Sequence, residues 1–310
     1  MDWFLDKTVS EGLPGPYQRY ARLMRLALNS RGRRLHGPFT FPYLSSLIRN
    51  AADESKRIGA SRVASVQFPR FKLCVDMYDS RALLVLQEAM GDNTETQVIY
   101  EFLDEGDTFL DVGANHGTYS MVAAHRVGTR GKIIAFEPQP FLANLIRASA
   151  EANCFTNVDV REVALSDTEG EAEFFIPKSS GMGGLHKEFS AEGNFQTIKV
   201  ALAKLDSLEF STSFSGKMLI KVDVEGNEVK FLNGAQRFLK DNKPTVLFEL
   251  NQKSQLAAGY SNDILIQTFL GLGYKSCVQI EDISQRIPLT ELSEKVANDQ
   301  KHLNILAYYE

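Results

Sequence analysis

The chain has 310 residues, of which 44% are hydrophobic and 24% are charged, and its formal net charge is −5. This composition fits a globular protein with one large domain and an appendage, and no run approaches the roughly 18 apolar residues that a membrane helix needs. The cysteines stand far apart without metal-ligand spacing and the start lacks a signal-peptide pattern, so we expect a cytoplasmic protein without a disulfide framework or a zinc site.

The first 75 residues differ in charge from the rest, with 13 Lys and Arg against 5 Asp and Glu. Short helical patterns between prolines predict a basic helical extension over residues 1–75, for acceptor binding or an oligomer contact. A solvated helix face, or a segment docked on the acidic remainder, gives the same pattern, and the sequence is compatible with a homo-oligomer. Because the whole chain is acidic and lacks the relevant motifs, no nucleic-acid partner is expected. The densest part holds Arg19, Arg22, Arg25, Arg31, Arg33 and Arg34.

From about Thr108 onward, β-rich runs alternate with helical patterns, which is typical of βαβ units in a mostly parallel sheet. We therefore predict an α/β domain over residues 76–310, introduced by a helix at "RALLVLQEAM", with an extended insertion after the third strand. The predicted strands are "TFLDVG", "KIIAFE", "VDVREVALS", "MLIKVD", "TVLFEL", "YKSCVQI" and "LNILAYY". The predicted helices between them are "TYSMVAAHRV", "PFLANLIRASAEAN", "EVKFLNGAQRFLK" and "DILIQTFLGLG".

A glycine-rich turn, "LDVGANHGTYS", follows the first of these strands. Gly113 and Gly117 stand between the strand and a helix, where backbone N–H groups favour an anion. The spacing G-x-x-x-G differs from the G-x-G-x-x-G fingerprint of dinucleotide sites. We interpret it as a turn for S-adenosylmethionine, with its N–H groups holding the methionine part and Asp111 meeting the amino group. A turn required only for packing is the alternative.

Glu137 ends the second strand, where an acidic residue can serve a ribose. An ionised carboxylate offers two acceptor oxygens, one for each ribose hydroxyl. This strand-end acid is independent of the glycine turn, and together the two features predict S-adenosylmethionine as the cofactor.

Three carboxylates, Asp223, Glu225 and Glu228, follow the strand "MLIKVD". Ligands of a doubly wound sheet lie beyond the carboxyl ends of its strands, so we expect these acids at the reaction centre. Mutual repulsion would raise at least one of their pKa values, as a general base needs, and Lys221 would oppose this. We predict Glu225 as the base and Asp223 near the methionine end or the acceptor. Glu228 or Glu249 would orient the others, unless Glu228 serves only the dipole of its helix.

Other groups supply alternatives at this site. A divalent metal held by the carboxylates would have to suit magnesium, and we prefer a site without metal because no histidine joins the cluster. His186, on the glycine-rich loop "KSSGMGGLHKEF", is either an alternative base or an exposed loop residue. His116 either covers the cofactor or points to solvent.

Several stretches resemble the FkbM family of S-adenosylmethionine-dependent methyltransferases over about residues 90–250: "FLDVGANHGTYS", "FEPQPFLANLIRASAEAN", "VALSDTEGEAEFF", "LAKLDSL", "LIKVDVEGNEVKFLNGA" and "VLFEL". A DVGAN turn is shared by many class I methyltransferases, whereas its combination with "KVDVEGNE" is characteristic of this family. The resemblance implies a Rossmann-like sheet of seven strands with an antiparallel last strand, and O-methylation, often of sugar or polyketide hydroxyls. The matching cofactor positions are Asp111, Gly113, Ala114, Asn115, Gly117, Glu137 and Pro138, with Ser166 and Asp167 near the adenine edge.

The sequence therefore predicts an O-methyltransferase that acts on a hydroxyl of a sugar-containing or secondary-metabolite acceptor, a small molecule or a glycan. A non-catalytic cofactor-binding scaffold and an N- or C-methyltransferase are the alternatives. The intact carboxylates argue against a scaffold, and the lack of an NPPY-like motif after the fourth strand disfavours amide or base methylation. The candidate catalytic residues are Asp223, Glu225, Glu249, His186 and Lys221.

Overall fold

The computed structural model describes residue 13 and residues 15–18, 50–91, 93–177, 183–186, 195–210, 214–296 and 302–310. The arginine-rich stretch at residues 19–34 lies outside these residues, so the interpretation of it as a basic site stays a prediction. Within the described ranges, no helix is both long and apolar enough to cross a membrane.

Strands and helices alternate through most of the described chain. The strands are β1 (Val63–Gln67), β2 (Lys72–Asp76), β3 (Thr108–Val112), β4 (Lys132–Phe136), β5 (Val158–Arg161), β6 (Ala164–Leu165), β7 (Gly170–Ile176), β8 (Gln196–Ala203), β9 (Met218–Val222), β10 (Thr245–Leu250), β11 (Tyr274–Gln279), β12 (Arg286–Pro288) and β13 (Leu303–Tyr309). Residues 50–57 are helical. The helices after them are α1 (Ala82–Ala89), α2 (Thr94–Phe102), α3 (Thr118–Val127), α4 (Pro140–Ala152), α5 (Glu228–Gly234), α6 (Gln236–Asn242), α7 (Gln252–Ala257), α8 (Asn262–Leu272) and α9 (Leu289–Val296).

The main sheet has the strand order β12-β11-β13-β10-β9-β3-β4-β5. Strands β5, β4, β3, β9 and β10 run parallel, and β13 pairs antiparallel with β10 and β11. The predicted α/β class, the mostly parallel sheet and the antiparallel last strand are confirmed. Among the described residues this sheet has eight strands instead of the predicted seven, because the short β12 adds to its edge by pairing with β11.

Strand β3 is where the connections of the sheet reverse direction. The chain passes from β3 to β4 and β5 on one side, and later returns to β9 and β10 on the other. In such sheets a crevice opens beyond the carboxyl ends of the strands at the reversal point. The fold therefore places a crevice at the ends of β3 and β9, where the glycine turn and the carboxylates begin.

Apolar side chains of the sheet alternate between two cores, one on each face. Phe109 on β3 packs with residues of α3 and α4, such as Met121 and Ile146. Its neighbour Leu110 packs on the opposite face with residues of α5, α6 and α8, such as Phe231. Successive strand residues point to opposite faces, so covering both faces requires the continuous apolar runs seen in the sequence.

Two predicted elements are divided in the structure. The run "VDVREVALS" forms β5 in the main sheet and β6 in a separate sheet of order β6-β8-β7, which contains the predicted extended insertion. The single helix predicted from Glu228 is interrupted at Ala235, which has φ −123° and ψ 12°. Beside this break, Gly234 packs so closely that a Cβ on it would lie 1.9 Å from the carbonyl oxygen of Ser166.

The described residues before α1 pack into the main core. Strands β1 and β2 form an antiparallel hairpin where only helical patches were expected. The Tyr17 hydroxyl donates to the carbonyl of Met77 at 2.7 Å, and the Cys74 N–H donates to Ser149 Oγ of α4 at 2.9 Å. The expected division after residue 75 falls inside β2, and a separate extension over residues 1–75 stays a prediction.

Candidate active site

A cavity of about 400 Å³ opens at the carboxyl ends of the central strands. Its β4 side is lined by Phe136, Glu137, Pro138, Val163 and Leu165. The opposite side is lined by residues of β10, by the loop after β9, by residues at the start of β13, and by residues at α1 and α2. A concave site of this size with an apolar end and a polar end is suited to a small-molecule ligand.

The glycine turn and the end of β9 meet at the floor of this cavity. Gly113 has φ +83°, and a Cβ on it would lie 2.1 Å from the carbonyl oxygen of Asp223. The Asp223 N–H donates to the carbonyl of Val112 at 3.0 Å. Both the left-handed backbone and the close approach require glycine here, so this turn also joins the two strands that carry the site.

The N–H groups of the turn are already bonded within the protein. Those of Gly113 and Ala114 donate to the carbonyl of Phe136 at 3.0 Å, and that of Asn115 donates to Glu137 Oε2 at 2.8 Å. The expected use of these N–H groups to hold the methionine part is therefore not open to them in this conformation. What the turn presents to the cavity is the bare surface of Gly113 and part of Asn115.

Gly117 serves packing. It has φ +79° at the start of α3, and a Cβ on it would lie 2.8 Å from Ile146 Cγ1 of α4. Ala114 is buried, and neither residue is among the described residues that line the cavity. Asn115, which has φ +52°, does line it.

Glu137 lies at the cavity with each carboxylate oxygen held by one backbone N–H. Asn115 donates to Oε2 and Gln139 donates to Oε1, both at 2.8 Å. Burial raises the pKa of Glu137 to about 8, although these two hydrogen bonds favour the charged form. In its ionised form the carboxylate has acceptor capacity beyond these bonds, so it can accept ribose hydroxyls.

Asp111 is fully buried two residues before the turn. Ser120 Oγ donates to its Oδ2 at 2.6 Å, whereas Oδ1 is buried without a hydrogen-bond partner in the described structure. Burial raises the pKa of Asp111, and the neighbouring Lys221, paired with it in register, opposes this rise. An orphaned buried acceptor costs about 1–3 kcal/mol. Asp111 is not among the described residues that line the cavity, so its contact with the amino group stays a prediction.

Ser166 and Asp167 lie further from the cavity than the chain just before them. The Ser166 N–H donates to the carbonyl of Ala203 at 2.9 Å, and its Oγ donates to Asp167 Oδ1 at 3.3 Å. In the described part of the chain, Val163 and Leu165 line the cavity and these two residues do not. Their assignment to the adenine edge stays a prediction.

Asp223, Glu225 and Glu249 come together at the opposite end of the cavity, with one carboxylate oxygen of each within 4.8 Å of the others. Glu225 has φ +50°, a conformation uncommon for residues with a side chain. The loop is pressed against α7, since a Cβ on Gly226 would lie 2.3 Å from the carbonyl oxygen of Ser254. Packing against α7 therefore holds Glu225 in this unusual conformation.

The electrostatics divide these carboxylates into two kinds. Burial of Asp223 is outweighed by Lys221, whose Nζ lies 2.8 Å from Asp223 Oδ2, so the pKa of Asp223 is lowered. Burial, followed by the charges of Asp223 and Glu249, raises the pKa of Glu225 well above its usual value. Asp223 is thus held as an anion, whereas Glu225 is held toward its protonated form.

Glu228 shapes the loop that carries the other acids. It is buried in the first turn of α5, where the Val224 N–H donates to Oε1 at 3.2 Å and Gln255 Nε2 donates to Oε2. Burial raises its pKa to about 8. Among the described residues that line the cavity Glu228 does not appear, so its contacts favour an orienting role.

The three clustered carboxylates are oxygen ligands of the kind that magnesium prefers. Two of them, however, already have cationic or protonatable partners, because Lys221 pairs with Asp223 and His302 Nε2 contacts Glu249 Oε1. We assign no metal to the cluster, and the preference for a metal-free site stays a prediction.

The histidines singled out from the sequence occupy different places. His116 is buried, with Nδ1 2.6 Å from Asn115 Oδ1 and Nε2 3.9 Å from Asp79. It points into the protein, so both expectations for it, cofactor cover and solvent exposure, are wrong. Residues 183–185 of the loop before His186 line the cavity, whereas His186 is not among the described lining residues. The role of His186 as a base stays a prediction.

One wall of the cavity, formed by residues at α1 and α2, was not predicted from the sequence. Arg81 and Glu88 both line it, with Arg81 Nη2 2.6 Å from Glu88 Oε1. Asn93 Nδ2 donates to the Tyr119 hydroxyl at 2.9 Å, and that ring lies 4.7 Å from Lys221 Nζ. In the sequence these two residues appear only as charged positions on a predicted helix, and no motif marks them as part of a site.

A second missed group enters from the last strand. His302 and Asn304 line the cavity because β13 pairs with β10, which sets Asn304 opposite Glu249. Asn304 Nδ2 also donates to Glu95 Oε1 of α2 at 2.9 Å. Only the sheet order brings residues so distant in sequence to the same edge.

The chain is similar to several known proteins. The profile of the family described as Methyltransferase FkbM domain matches residues 111–276, more than half of the chain. Hexuronic acid methyltransferase AglP of Haloferax volcanii is 29% identical over 155 residues, which are 50% of this chain and 61% of that protein. Protein-L-isoaspartate O-methyltransferase 2 of Archaeoglobus fulgidus is 42% identical over 65 residues, which are 20% of this chain and 30% of that protein. Each match thus covers less than two thirds of the relative.

A solved structure described as methyltransferase FkbM from Methylobacillus flagellatus KT is 13% identical, with a TM-score of 0.36, and the alignment covers 74% of this chain and 54% of that one. The family match extends further toward the C-terminus than the resemblance read from the sequence. It includes the glycine turn, Glu137 and the carboxylates after β9 and on β10. The chain belongs to the methyltransferase FkbM domain family.

Proposed function

We propose that the protein is an S-adenosylmethionine-dependent O-methyltransferase that acts on a hydroxyl group of a sugar-containing acceptor. The observation that carries this proposal is a single cavity with Glu137 at one end and the acids Asp223, Glu225 and Glu249 at the other. When bound, S-adenosylmethionine supplies a methyl group activated by a positively charged sulfur. The separation of a nucleoside end from an acidic end matches the two parts of such a reaction.

The residues at the β4 end fit the cofactor. Glu137 would accept the ribose hydroxyls, and Val163 and Leu165 offer apolar surface for the base. The orphaned Oδ1 of Asp111 would receive the amino group, directly or through water. Gly113 leaves room that a side chain would fill. These four features supply hydrogen-bond acceptors and shape for each part of the ligand.

The opposite end is suited to a polyhydroxylated acceptor. Asn93, Glu95 and Asn304 place amide and carboxylate groups on its wall, next to the Arg81–Glu88 pair. Sugar hydroxyls both donate and accept hydrogen bonds, so a wall of mixed donors and acceptors can orient them. The name of the Haloferax volcanii relative gives a hexuronic acid as its substrate, which supports a sugar here as well.

Two tasks fall to the chain's own residues. Holding the reacting oxygen and the methyl carbon in line can contribute about 7–11 kcal/mol in well-oriented reactions. Removing the hydroxyl proton by a positioned base typically contributes about 10²- to 10⁴-fold in rate. The base must lie at the acidic end of the cavity, where Glu225 is the candidate that the sequence provides.

The proposal is tested by titrating the protein with S-adenosylmethionine in a calorimeter and incubating it with methyl glycosides of neutral hexoses and of hexuronic acids. We expect binding, and a mass increase of one methyl group on at least one glycoside, located on oxygen by NMR. Binding without turnover on any acceptor class would favour the scaffold alternative. A methyl group on nitrogen or carbon would favour the remaining alternatives.

A further inference from the structure

An imidazole and a carboxylate form a pair inside the cavity that no sequence motif marks. His302 Nε2 contacts Glu249 Oε1, and both residues line the cavity at its acidic end. The His302 side chain is 56% exposed and that of Glu249 is 13% exposed. The Glu249 carboxylate is therefore mostly buried in the cavity wall. The His302 imidazole contacts it and has about half of its surface exposed to the cavity or to solvent.

The fold fixes this pair from two strands. Glu249 is on β10, and the register sets it opposite Asn304 of β13, so His302 lies two residues from the partner of Glu249. Residues two apart in an extended chain point to the same side, and Asn304 also lines the cavity. The hydrogen bond from Asn304 to Glu95 ties this part of β13 to α2.

We propose that His302, oriented by Glu249, is the base that takes the proton of the acceptor hydroxyl, in place of Glu225. This inference rests on the proposed function. Glu249 occupies Nε2, which leaves Nδ1 as the proton acceptor, the arrangement in which a carboxylate fixes one ring nitrogen so that the other can act. Glu225 is less suited because burial and the neighbouring Asp223 and Glu249 favour its protonated form, which cannot accept a proton.

The O–H bond of the acceptor breaks, its proton moves to Nδ1, and the imidazolium that forms is paired with the Glu249 carboxylate. The electron pair left on the oxygen forms the new C–O bond to the methyl carbon. The C–S bond of the sulfonium methyl donor breaks at the same time, and its electron pair passes to sulfur.

Three acidic groups on different elements act on His302. The hydrogen bond to Glu249 on β10 is the largest influence and raises the pKa of His302; burial opposes it, and Asp223 after β9 and Glu95 on α2 add to the rise. Because the base acts in its neutral form, turnover should increase as pH rises through this pKa. Removal of the Glu249 charge should move that increase to lower pH.

The experiment compares His302→Gln, Glu249→Gln and Glu225→Gln, with His125→Gln as the matched control. His125 lies on α3, stacked on Tyr100. Calorimetry with S-adenosylmethionine checks that each variant still binds the cofactor. Turnover is measured as a function of pH on the methyl glycoside that the wild type converts fastest. The titration of His302 is followed by ¹⁵N NMR of the imidazole in the wild type and in Glu249→Gln.

We expect His302→Gln to bind the cofactor within about threefold of the wild type and to lose about 10²-fold or more in kcat. In a further variant, His302→Gly, added imidazole should restore part of the lost turnover. The NMR titration of His302 should move to lower pH in Glu249→Gln. Glu225→Gln should keep the wild-type rise of turnover with pH, and His125→Gln should match the wild type in every measurement.

Several results would overturn the proposal. They are a His302→Gln variant that keeps its turnover, a Glu225→Gln variant that loses the rise with pH, or a His302 titration that is the same with and without the Glu249 charge. The NMR result needs no acceptor, so it tests the pair separately from the reaction. A wild type that fails to bind S-adenosylmethionine would contradict the proposed function and leave the His302 titration as the remaining test of the pair.

Discussion

Lys221 Nζ lies 2.8 Å from Asp223 Oδ2, and this ion pair joins the end of the buried strand β9 to the floor of the cavity. The Lys221 side chain is 7% exposed and that of Asp223 is 38% exposed. Asp111 lies beside Lys221 in the β3–β9 register. One ammonium group therefore serves two carboxylates, one from each of the strands that carry the site.

Replacing this ammonium should destabilise the protein. In Lys221→Met both neighbouring carboxylates lose their positive partner, and because Asp223 is partly exposed we expect a loss of about 1–3 kcal/mol in the free energy of unfolding, less than for a fully buried pair. The control is Lys199→Met, since Lys199 pairs with Glu171 at 3.9 Å on the surface. It should stay within about 0.5 kcal/mol of the wild type. Urea denaturation at pH 7 measures both, and equal effects would contradict a buried role for Lys221.

A methyl group on the glycine turn should separate steric contact from backbone strain. Gly113→Ala meets the Asp223 carbonyl oxygen at 2.1 Å in addition to a φ of +83°, whereas Gly106→Ala has a similar φ of +92° with nothing within 4 Å of the added Cβ. Gly106→Ala should cost only the strain, about 1–2 kcal/mol. Gly113→Ala should cost more and also weaken the binding of S-adenosylmethionine. Similar unfolding midpoints for the two variants would argue against the close approach of β3 and β9.

The two ends of the cavity should respond differently to loss of an acid. Glu137→Ala removes the acceptor for the ribose hydroxyls and should weaken the binding of S-adenosylmethionine by about 10- to 10²-fold, since each hydrogen bond contributes about 0.5–1.5 kcal/mol. Glu225→Ala should leave this affinity nearly unchanged and alter turnover. Calorimetric titration of both variants measures the difference. Equal losses of affinity would show that the roles of the two ends are assigned incorrectly.

Glu228 should make stability depend on pH. Its pKa of about 8 lies above the value of about 4.3 expected for an unfolded chain, so between these values the folded state holds a proton that the unfolded state has lost. Stability from this group is present below the lower value and is lost as pH rises toward 8. The wild type should therefore lose about 1–3 kcal/mol relative to Glu228→Gln between pH 5 and pH 8.

Urea midpoints of the wild type and Glu228→Gln at the two pH values provide the measurement. The introduced amide can donate to Gln255 Oε1, which is buried without a hydrogen-bond partner in the described structure, so its cost at pH 5 should be small. Glu228→Ala leaves the Val224 N–H without its acceptor and should be less stable at both values. A constant difference between the wild type and Glu228→Gln would contradict the raised pKa.

The sequence was informative where function depends on strand ends. Glu137 and Glu249 each close an apolar run, and parallel strands bring their carboxyl ends to one edge, so their presence at one cavity could be predicted. His302 and Arg81 could not, because His302 reaches the edge only through the β10–β13 pairing and Arg81 only through the packing of α1. Local patterns do not contain such long-range pairings.

Local sequence patterns also did not predict where helices and strands are interrupted. The helix after Glu228 looked continuous because its apolar periodicity continues through Ala235. The break at Ala235 adjoins the close approach of Gly234 to Ser166, a tertiary contact. In the same way, the turn N–H groups looked available to a ligand until the structure paired them with Phe136 and Glu137.

We expect a sulfonium nucleoside to lie along the ends of β3 and β4, with its ribose at Glu137 and its reacting end toward Asp223. A crystal structure of the protein with S-adenosylhomocysteine tests it most directly. We expect the ribose hydroxyls within hydrogen-bond distance of the Glu137 carboxylate and the sulfur at the acidic end of the cavity. A ligand bound elsewhere, or a cavity that excludes the ligand at saturating concentration, would contradict it.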